Sequence, residues 1–396
     1  MLTVTGRLDE AETELRRNLQ ERLAFYGREH AGYAYGLEAL ADVLLQRGNL
    51  GEARKVIEEA LGNFWRNGHE RVATVLALRA EIVAAEGGSE PLFPDLKQLP
   101  GELVKQMTAM VINRADRHLA TTIAVLSGLV TALEVRFGPD DQATLNALSC
   151  LANTSHDLGD QGGRVEAIRK VLASYDRQGR AEDALMAASG LALAQGDVGD
   201  MAGALRTYAQ AHTLADRIGR PELSSQVLRN WGLALAEADQ TAEAEQRLRE
   251  AVATADLGYD SEMLGRAQVA LGLFLQHRER LAEARQAVEA GLASLDVAHP
   301  DAVVGRSHLG AIIAGRACGC GDLQGAIAEA FREFVLSRLP QDLLARLEVT
   351  IANENFNVNV ELRRAPTEDE LEQLNRVVKG ATAEFRHRMT SAKYAS

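Results

Sequence analysis

A short phrase recurs along this chain of 396 residues, and it constrains the fold more than any other feature of the sequence. In each copy a turn residue is followed by alanine five positions later. Apart from one interval of 114 residues, successive alanines are 37 to 42 residues apart. Self-similarity at this period predicts an array of stacked repeats, because each unit is too small to fold alone. The copies are Gly6–Ala11, Gly48–Ala53, Gly162–Ala167, Gly199–Ala204, Asp239–Ala244, Glu279–Ala284 and Gly321–Ala326.

The segments on either side of each phrase have the apolar spacing of amphipathic helices. After Ala244, for example, apolar residues occupy the i, i+3, i+4 and i+7 positions of one helix face, at Leu248, Ala251, Val252 and Ala255. The segment before Ala244 has similar spacing around Trp231. We therefore predict two helices joined by a tight turn, with the small alanine allowing the second helix to approach the first closely.

Two further motifs recur with the phrase. A small residue follows leucine or tryptophan in the first helix of each pair, at Leu40-Ala41, Leu151-Ala152, Leu191-Ala192, Trp231-Gly232 and Leu271-Gly272. One first helix is preceded by the sequence His299-Pro300-Asp301-Ala302, and relaxed versions of this entry occur at Gly27–Ala31 and Gly138–Ala143. Together, over about residues 1–338, these motifs resemble the tetratricopeptide repeat family, and specifically its longer kinesin-light-chain-like variant. The resemblance implies an all-α, right-handed α-solenoid of stacked antiparallel helix pairs, with a non-repeat cap at the C-terminus.

The repeat pattern divides the chain into four predicted parts. Residues 1–86 are N-terminal repeats with an incomplete first repeat, and residues 87–115 are an insertion with irregular helices that contains Pro91, Pro94 and Pro100. Residues 116–338 are repeats again, and residues 339–396 form a C-terminal extension. The phrase at Gly6 belongs to a second helix without its first helix. We expect an upstream domain or another chain, such as a second copy, to cover this end, unless a shorter cap tolerates exposure.

Two segments of the C-terminal extension have sequence patterns that predict secondary structure. Residues 355–360 alternate polar and apolar side chains as a strand does, although their position between helical stretches leaves helix equally open. Thr367 and Glu370 have the spacing of a capping box, which predicts a helix from there to about Arg388. We expect this helix to cap the repeat array.

Charge and composition exclude several classes of function. The chain has 43 basic and 56 acidic side chains, a formal charge of −13, and no Lys/Arg run longer than a pair. Because phosphate neutralisation supplies most nucleic-acid affinity, we predict no nucleic-acid partner and no anionic membrane partner. Three cysteines, no signal peptide and no apolar run of membrane-spanning length predict a cytoplasmic protein.

The sequence offers no constellation for catalysis, a metal or a cofactor. Cys318-Gly319-Cys320 lacks the second ligand pair of a zinc site, and we interpret these residues as small packing residues at a turn. The phosphate-binding, metalloprotease and serine-hydrolase motifs are absent. Nine histidines are scattered, and His30, His69 and His299 fall at predicted helix starts. We therefore predict that the chain is not an enzyme and has no cofactor.

The resemblance places ligand binding on the first helices, which line the concave groove of such arrays. The predicted peptide-binding residues are Asn146, Asn153, His156, Gln226, Arg229, Asn230, Arg266 and His277. Other side chains predicted to face the groove are Tyr35, Glu38, Asp42, Ser149, Val269 and Leu273. The carboxylate-clamp subtype of the family is rejected, because Ser149 and Gly190 replace its Lys and second Asn. Arg229 and Arg266 are nevertheless expected to receive an acidic or C-terminal group, since arginine grips a carboxylate in a fork.

These features predict a scaffold that binds a peptide or helix of a protein partner, either free-standing or as the C-terminal module of a larger regulatory protein. The alternative is a ligand- or peptide-sensing regulator whose effector domain lies elsewhere.

Overall fold

The structure is a computed structural model that describes residues 7–87, 91–93, 96–115, 121–258, 260–317, 323–339, 343–352 and 355–391. The chain forms two compact units, Met1–Asp200 and Met201–Ser396. Consecutive helices pack against each other within each unit, and short turns join most of them, so neighbouring helices are antiparallel. The predicted stacked helix pairs of tetratricopeptide type are confirmed. Gly6 and the motif Cys318-Gly319-Cys320 lie outside the described residues.

The described residues of the first unit form helices and one 3-10 turn, Leu96–Gln98, which lies in the predicted insertion. The helices are α1 Leu8–Tyr26, α2 Ala31–Gln46, α3 Leu50–Arg66, α4 Val72–Glu86, α5 Gly101–Ala115, α6 Thr122–Phe137, α7 Gln142–Asp157, α8 Gln161–Gln178 and α9 Ala181–Asp197.

The second unit continues with helix pairs and ends with a hairpin and a helix. Its elements are α10 Met201–Ile218, α11 Pro221–Glu237, α12 Thr241–Leu257, α13 Ser261–His277, α14 Leu281–Ser294, α15 Pro300–Ile313, α16 Leu323–Leu336, β1 Leu344–Ala352, β2 Asn355–Leu362 and α17 Glu368–Ser391.

Positive φ angles mark the turns between paired helices at a regular interval. Gly159, Gly199, Asp239 and Glu279 have φ values of 78°, 81°, 58° and 61°, and each is 40 residues from the next. Gly162, which begins the loosest copy of the phrase, instead lies inside α8. The turn of that repeat is therefore at Gly159, three residues earlier than the sequence pattern placed it. The alanine position is then taken by Arg164, so the phrase at Gly162–Ala167 matches the other copies only loosely.

Small residues allow the paired helices of the second unit to pack very closely. A Cβ atom added to Gly272 of α13 would lie 3.0 Å from the backbone oxygen of Ala284 and 3.0 Å from the backbone nitrogen of Val288, both in α14. Gly232 of α11 meets Leu248 of α12 in the same way, with its backbone nitrogen 3.2 Å away. Ala244 and Ala284 are fully buried. The small residues noted in the sequence therefore lie at helix crossings, where backbone meets backbone.

The segment that the sequence left open between strand and helix is a strand. β2 pairs antiparallel with β1, with Leu347 opposite Val360, so the described part of the chain contains one two-stranded sheet beside its helices. The apolar face of the hairpin packs on α16 and α17, where Phe331, Phe334 and Phe385 form the centre of a buried cluster.

The predicted capping box opens α17. The Glu370 amide donates to Thr367 Oγ1 at 3.2 Å, and the Thr367 amide donates to the Glu370 carboxylate at 2.9 Å. Arg364 lies beside the same carboxylate, and its hydrogen bonds together with the cap hold the pKa of Glu370 at about 2. The predicted helix is therefore confirmed, and it ends at Ser391.

Within the described part of the chain, no helix is both long enough and apolar enough to span a bilayer.

Candidate functional site

The first helix of each pair in the second unit lies in one layer with the others; these helices are α11, α13 and α15. α11 contacts α13 directly, and α13 contacts α15, in addition to the second helices that lie between them in sequence. Side chains that leave this layer on the same side can therefore meet although they are 35 or more residues apart. Arg229 of α11, Arg266 of α13 and Asp301 of α15 do so.

The start of α15 positions Asp301. His299 is the N-cap of this helix, and its Nδ1 accepts a hydrogen bond from the Asp301 amide at 3.1 Å. Pro300 follows the cap at a position where its missing N–H is not needed. With the cap made by the histidine, the Asp301 carboxylate is left to bind side chains from the two preceding first helices.

Asp301 joins the two arginines through a single oxygen atom. Arg266 Nε lies 2.9 Å from Asp301 Oδ2, and Arg229 Nη1 lies 3.4 Å from the same atom. Only 7% of the Arg229 side chain and 10% of the Arg266 side chain are exposed, against 31% for Asp301. We call these three residues the arginine pair site. Its accessible side is the side of Asp301.

Among the described residues, the two guanidinium groups of the arginine pair site share one carboxylate, so these three side chains together carry a net charge of +1. Burial and the nearby Arg266 lower the pKa of Arg229 to about 10, although Asp301 acts in the opposite direction, so Arg229 is charged at neutral pH. Burial also lowers the pKa of His299, whose Nε2 is 3.6 Å from the Glu262 carboxylate. The site therefore favours an anion over a cation.

Two amides predicted to bind a peptide lie beside the arginine pair site. Arg229 donates from Nε and Nη2 to Asn230 Oδ1, at 3.2 and 3.0 Å. These bonds fix the Asn230 amide, and its Nδ2 makes no hydrogen bond to the described residues. Gln226, one turn earlier on α11, is half-buried. Gln226, Arg229, Asn230 and Arg266 are thus brought together.

The other predicted residues of α13 are placed differently. His277 is exposed at the far end of the helix, about 16 Å from Arg266 by the helical rise. The nearby His308 binds the buried Gln276 at 2.7 Å, and burial and His277 lower its pKa. Val269 was predicted to face the groove, but it is 2% exposed in an apolar cluster. Gly291 and Gly305 are the reason, because they let α14 and α15 approach Val269. Leu273 packs against the same cluster.

In the first unit, three predicted residues share helix α7. Asn146, Asn153 and His156 are all exposed. Asn146 accepts a hydrogen bond from Gln142 at 2.8 Å, and the His156 ring lies 3.1 Å from Arg164 Nη1. They form an exposed polar row along one helix. Arg164 at the end of this row also pairs with Asp197 at 2.5 Å.

The first unit also contains a cluster that sequence reasoning found only in part. Glu38 and Asp42 of α2 were expected to face the groove, but their partners were missed. Arg71 lies 2.5 Å from Glu38, and Arg114 of α5 binds both Asp42, at 2.9 Å, and Glu81 of α4. Although burial acts against the charged form, Glu81 and Asp42 raise the pKa of Arg114. Among the described residues, this cluster joins the carboxylates of Glu38, Asp42 and Glu81 to the guanidinium groups of Arg71 and Arg114.

The missed residues share a cause. Arg114 lies in the predicted insertion, where no repeat gives it a register. In the sequence, Asp301 was identified only as part of the helix-entry motif, and that motif does not predict which side chains Asp301 contacts. Among the residues that the structure describes, no three His, Cys, Asp or Glu side chains are arranged to hold a metal ion.

Comparison with known proteins found solved structures that are partly similar to this chain at low sequence identity. No family model matches the chain, and no curated protein sequence matches it. Aspartyl phosphate phosphatase F from Bacillus subtilis is 14% identical over 77% of this chain and 84% of that chain, with a TM-score of 0.47. The apo form of RapI is 11% identical over 90% and 98%, with a TM-score of 0.47. BtubC from P. vanneervenii is 18% identical over 63% and 99%, with a TM-score of 0.42. These values transfer neither a ligand nor a partner to this chain.

Proposed function

We propose that this protein is a scaffold that binds a peptide segment of a protein partner along α11, α13 and α15, with a carboxylate of that segment held at the arginine pair site. One observation carries the proposal. Two buried guanidinium groups on successive first helices share a single carboxylate oxygen, so the site has both unused donors and an unbalanced positive charge.

A peptide carboxylate suits this site on electrostatic grounds. Arginine recognises carboxylates through a planar fork of donors, and such charge-assisted bonds are stronger where water is excluded. The guanidinium groups are reached from the Asp301 side, because that carboxylate is the most exposed of the three. The ligand carboxylate binds beside Asp301 and competes with it for the same donors.

The amides next to the arginine pair site fit the peptide backbone. Gln226 and Asn230 are four residues apart on α11 and so lie on one face of the helix. An amide side chain can donate to a backbone carbonyl and accept from a backbone N–H. The two amides then hold the chain of the ligand while the arginines hold its charge.

The test begins with a peptide selected on the intact protein from a random library displayed with free carboxyl termini. Its affinity is measured by fluorescence anisotropy for the wild type and for three variants. Arg266→Gln removes half of the charge that faces the ligand, so we expect at least tenfold weaker binding, about 1.4 kcal/mol. Asp301→Asn removes the competing carboxylate, so we expect tighter binding.

Arg278→Gln is the matched control. It makes the same change of charge just beyond the end of α13, at a side chain paired with Asp239 rather than with Asp301. Its affinity is expected to stay within twofold of the wild type. The proposal fails if no peptide is selected, or if Arg266→Gln and Arg278→Gln bind the selected peptide equally well.

A further inference from the structure

The outer edge of β1 is an open sheet edge. Among the described residues, β1 pairs with β2 and with no other strand. Every second residue of such a strand turns its N–H and C=O groups to the unpaired side, where they are available to another strand. The edge belongs to β1, which has nine residues with a bulge between Leu344 and Arg346; no other described strand pairs with its regular part, residues 346–352.

A groove runs along this edge. It has a volume of about 730 Å³ and is lined by residues 344–350 of β1, by Arg332 and Leu336 of α16, and by Arg363. Leu347 is buried and faces α16, whereas Arg346 and Glu348 are exposed on the opposite face of the sheet. The groove therefore offers both backbone donors and apolar surface beside them.

The charges on β1 are self-complementary. Arg346 and Glu348 lie on the exposed face of the sheet, one on each side of the buried Leu347 in sequence. They pair with each other at 2.6 Å, and 68% and 49% of their side chains are exposed. In an antiparallel pair of two β1 strands centred on Leu347, each Arg346 stands opposite the Glu348 of the other strand. The four charges then alternate in sign along and across the strands.

The registers next to this one are less favourable. A two-fold axis at residue 346 or 348 places like charges directly opposite each other, which is destabilising. A shift by one residue between strands would set the buried face of one strand against the exposed face of the other. The axis at Leu347 is perpendicular to the sheet, so both copies keep their helices α16 on the same face, and each groove is filled by apolar residues of the other copy.

We propose that β1 pairs with β1 of a second copy of this chain, antiparallel and centred on Leu347, to form a continuous four-stranded sheet. The interface is isologous, as in most homodimers, because the same surface meets itself about a two-fold axis. This surface is separate from the arginine pair site, so the dimer does not depend on the proposed peptide binding.

Two complementary charge reversals test the register. Arg346→Glu leaves two glutamates on the strand, and Glu348→Arg leaves two arginines. By analytical ultracentrifugation, we expect the wild type to dimerise and each variant alone to dissociate about thirtyfold more readily, since two attractive cross-strand pairs become repulsive. A mixture of the two variants is expected to recover the dimer, because each strand then meets one of opposite charge.

Arg376→Glu is the control, because it makes the same charge change on α17 at an exposed side chain that pairs with Glu372. It should dimerise as the wild type does. Amide hydrogen exchange of residues 347 and 349 should slow with rising protein concentration in the wild type and not in Arg346→Glu. The proposal would be overturned if the wild type stayed monomeric at a protein concentration roughly 100-fold above a micromolar dissociation constant of the dimer. The edge would then be left to a strand of another protein. Loss of the dimer in both variants without recovery in the mixture would overturn it equally.

Discussion

Arg266 donates from Nε to Asp301 Oδ2 at 2.9 Å, and this contact joins two successive first helices across 35 positions of the chain. The same oxygen also accepts a hydrogen bond from Arg229 of α11, the first helix of the preceding pair. A buried charge without its partner is strongly destabilising, whereas a paired one is close to neutral. The stability of this layer therefore depends on the one carboxylate that the two arginines share.

We predict that Asp301→Ala lowers the free energy of unfolding of the second unit by about 3 kcal/mol, because it leaves two buried guanidinium groups unpaired. The loss should be smaller for Asp301→Asn, which keeps an acceptor oxygen. Urea unfolding followed by Trp231 fluorescence measures this in a Trp65→Phe background, since the chain has only these two tryptophans. Asp239→Asn, at an exposed carboxylate, should stay within about 0.5 kcal/mol. Equal losses for Asp239→Asn and Asp301→Ala would contradict the prediction.

The repeat architecture was readable from the sequence because its causes are local and periodic. The turn at Gly199, the helix entry at His299 and the small residue at Gly272 each recur at similar spacing, so each occurrence supports the others. The capping box at Thr367 was readable for the same reason, since its two hydrogen bonds span three residues. Local rules of this kind do not need knowledge of the rest of the fold.

The close crossing of α13 and α14 gives a second prediction. A Cβ atom at Gly272 would meet backbone atoms of Ala284 and Val288, which cannot move aside as a flexible side chain can. We expect Gly272→Ala to lower the free energy of unfolding by about 1–3 kcal/mol. The matched exchange Gly190→Ala, in helix α9 with open space at its Cβ, should raise it by about 0.5–1 kcal/mol. Urea titrations of both variants check the signs, and a stabilised Gly272→Ala protein would show that the helices are not in contact there.

The candidate site was readable only in part, because its contacts are not periodic. Aligning the helices on the repeat motif placed Arg229 and Arg266 in the layer of first helices, and the structure brings the two side chains together. The same register failed for Val269, since it assigns a helix face without knowing how closely α15 packs. It also missed Arg114, whose binding of Asp42 spans 72 residues. Side chains that meet across several helices are set by packing, and their pairing is not written in any one segment.

The buried ion cluster of the first unit should show strong coupling between Arg114 and Glu81. Only 14% of the Arg114 side chain and 8% of the Glu81 side chain are exposed. We expect Arg114→Met alone to lower the free energy of unfolding by about 3 kcal/mol, because it removes the guanidinium group that pairs with the buried carboxylate of Glu81. The double variant Arg114→Met/Glu81→Gln should be less destabilised than the sum of the two single variants, by about 1–3 kcal/mol.

Trp65 fluorescence reports this double-mutant cycle when all four proteins carry Trp231→Phe, so that the background cancels. The pair Arg376 and Glu372 on α17 provides a comparison, because both side chains are about three-quarters exposed. Its coupling should be no more than about 0.5 kcal/mol. Additive effects at Arg114 and Glu81 would mean that the two side chains do not share a buried pair.

Two histidines of the second unit should make its stability depend on pH. Burial lowers the pKa of His299 and, together with His277, that of His308, from an ordinary value of 6.5. The unfolded chain therefore takes up protons near pH 6.5 that the folded chain resists, so acidification favours unfolding. We expect stability to be highest above pH 7 and to fall as the pH drops through 6.5 towards the lowered values.

His299→Asn separates this effect from the cap itself, because asparagine keeps an acceptor for the Asp301 amide but does not titrate. In the Trp65→Phe background, urea titrations from pH 7.5 to 5.5 should give a smaller loss of stability for this variant than for the wild type. His30→Asn makes the same exchange at the exposed cap of α2 in the first unit, where His30 accepts from Gly32 at 2.9 Å. In that control, the dependence of the unfolding free energy on pH, followed by Trp231 fluorescence, should not change. An equal change in both variants would show that the loss of any histidine, rather than of the buried one, causes the effect.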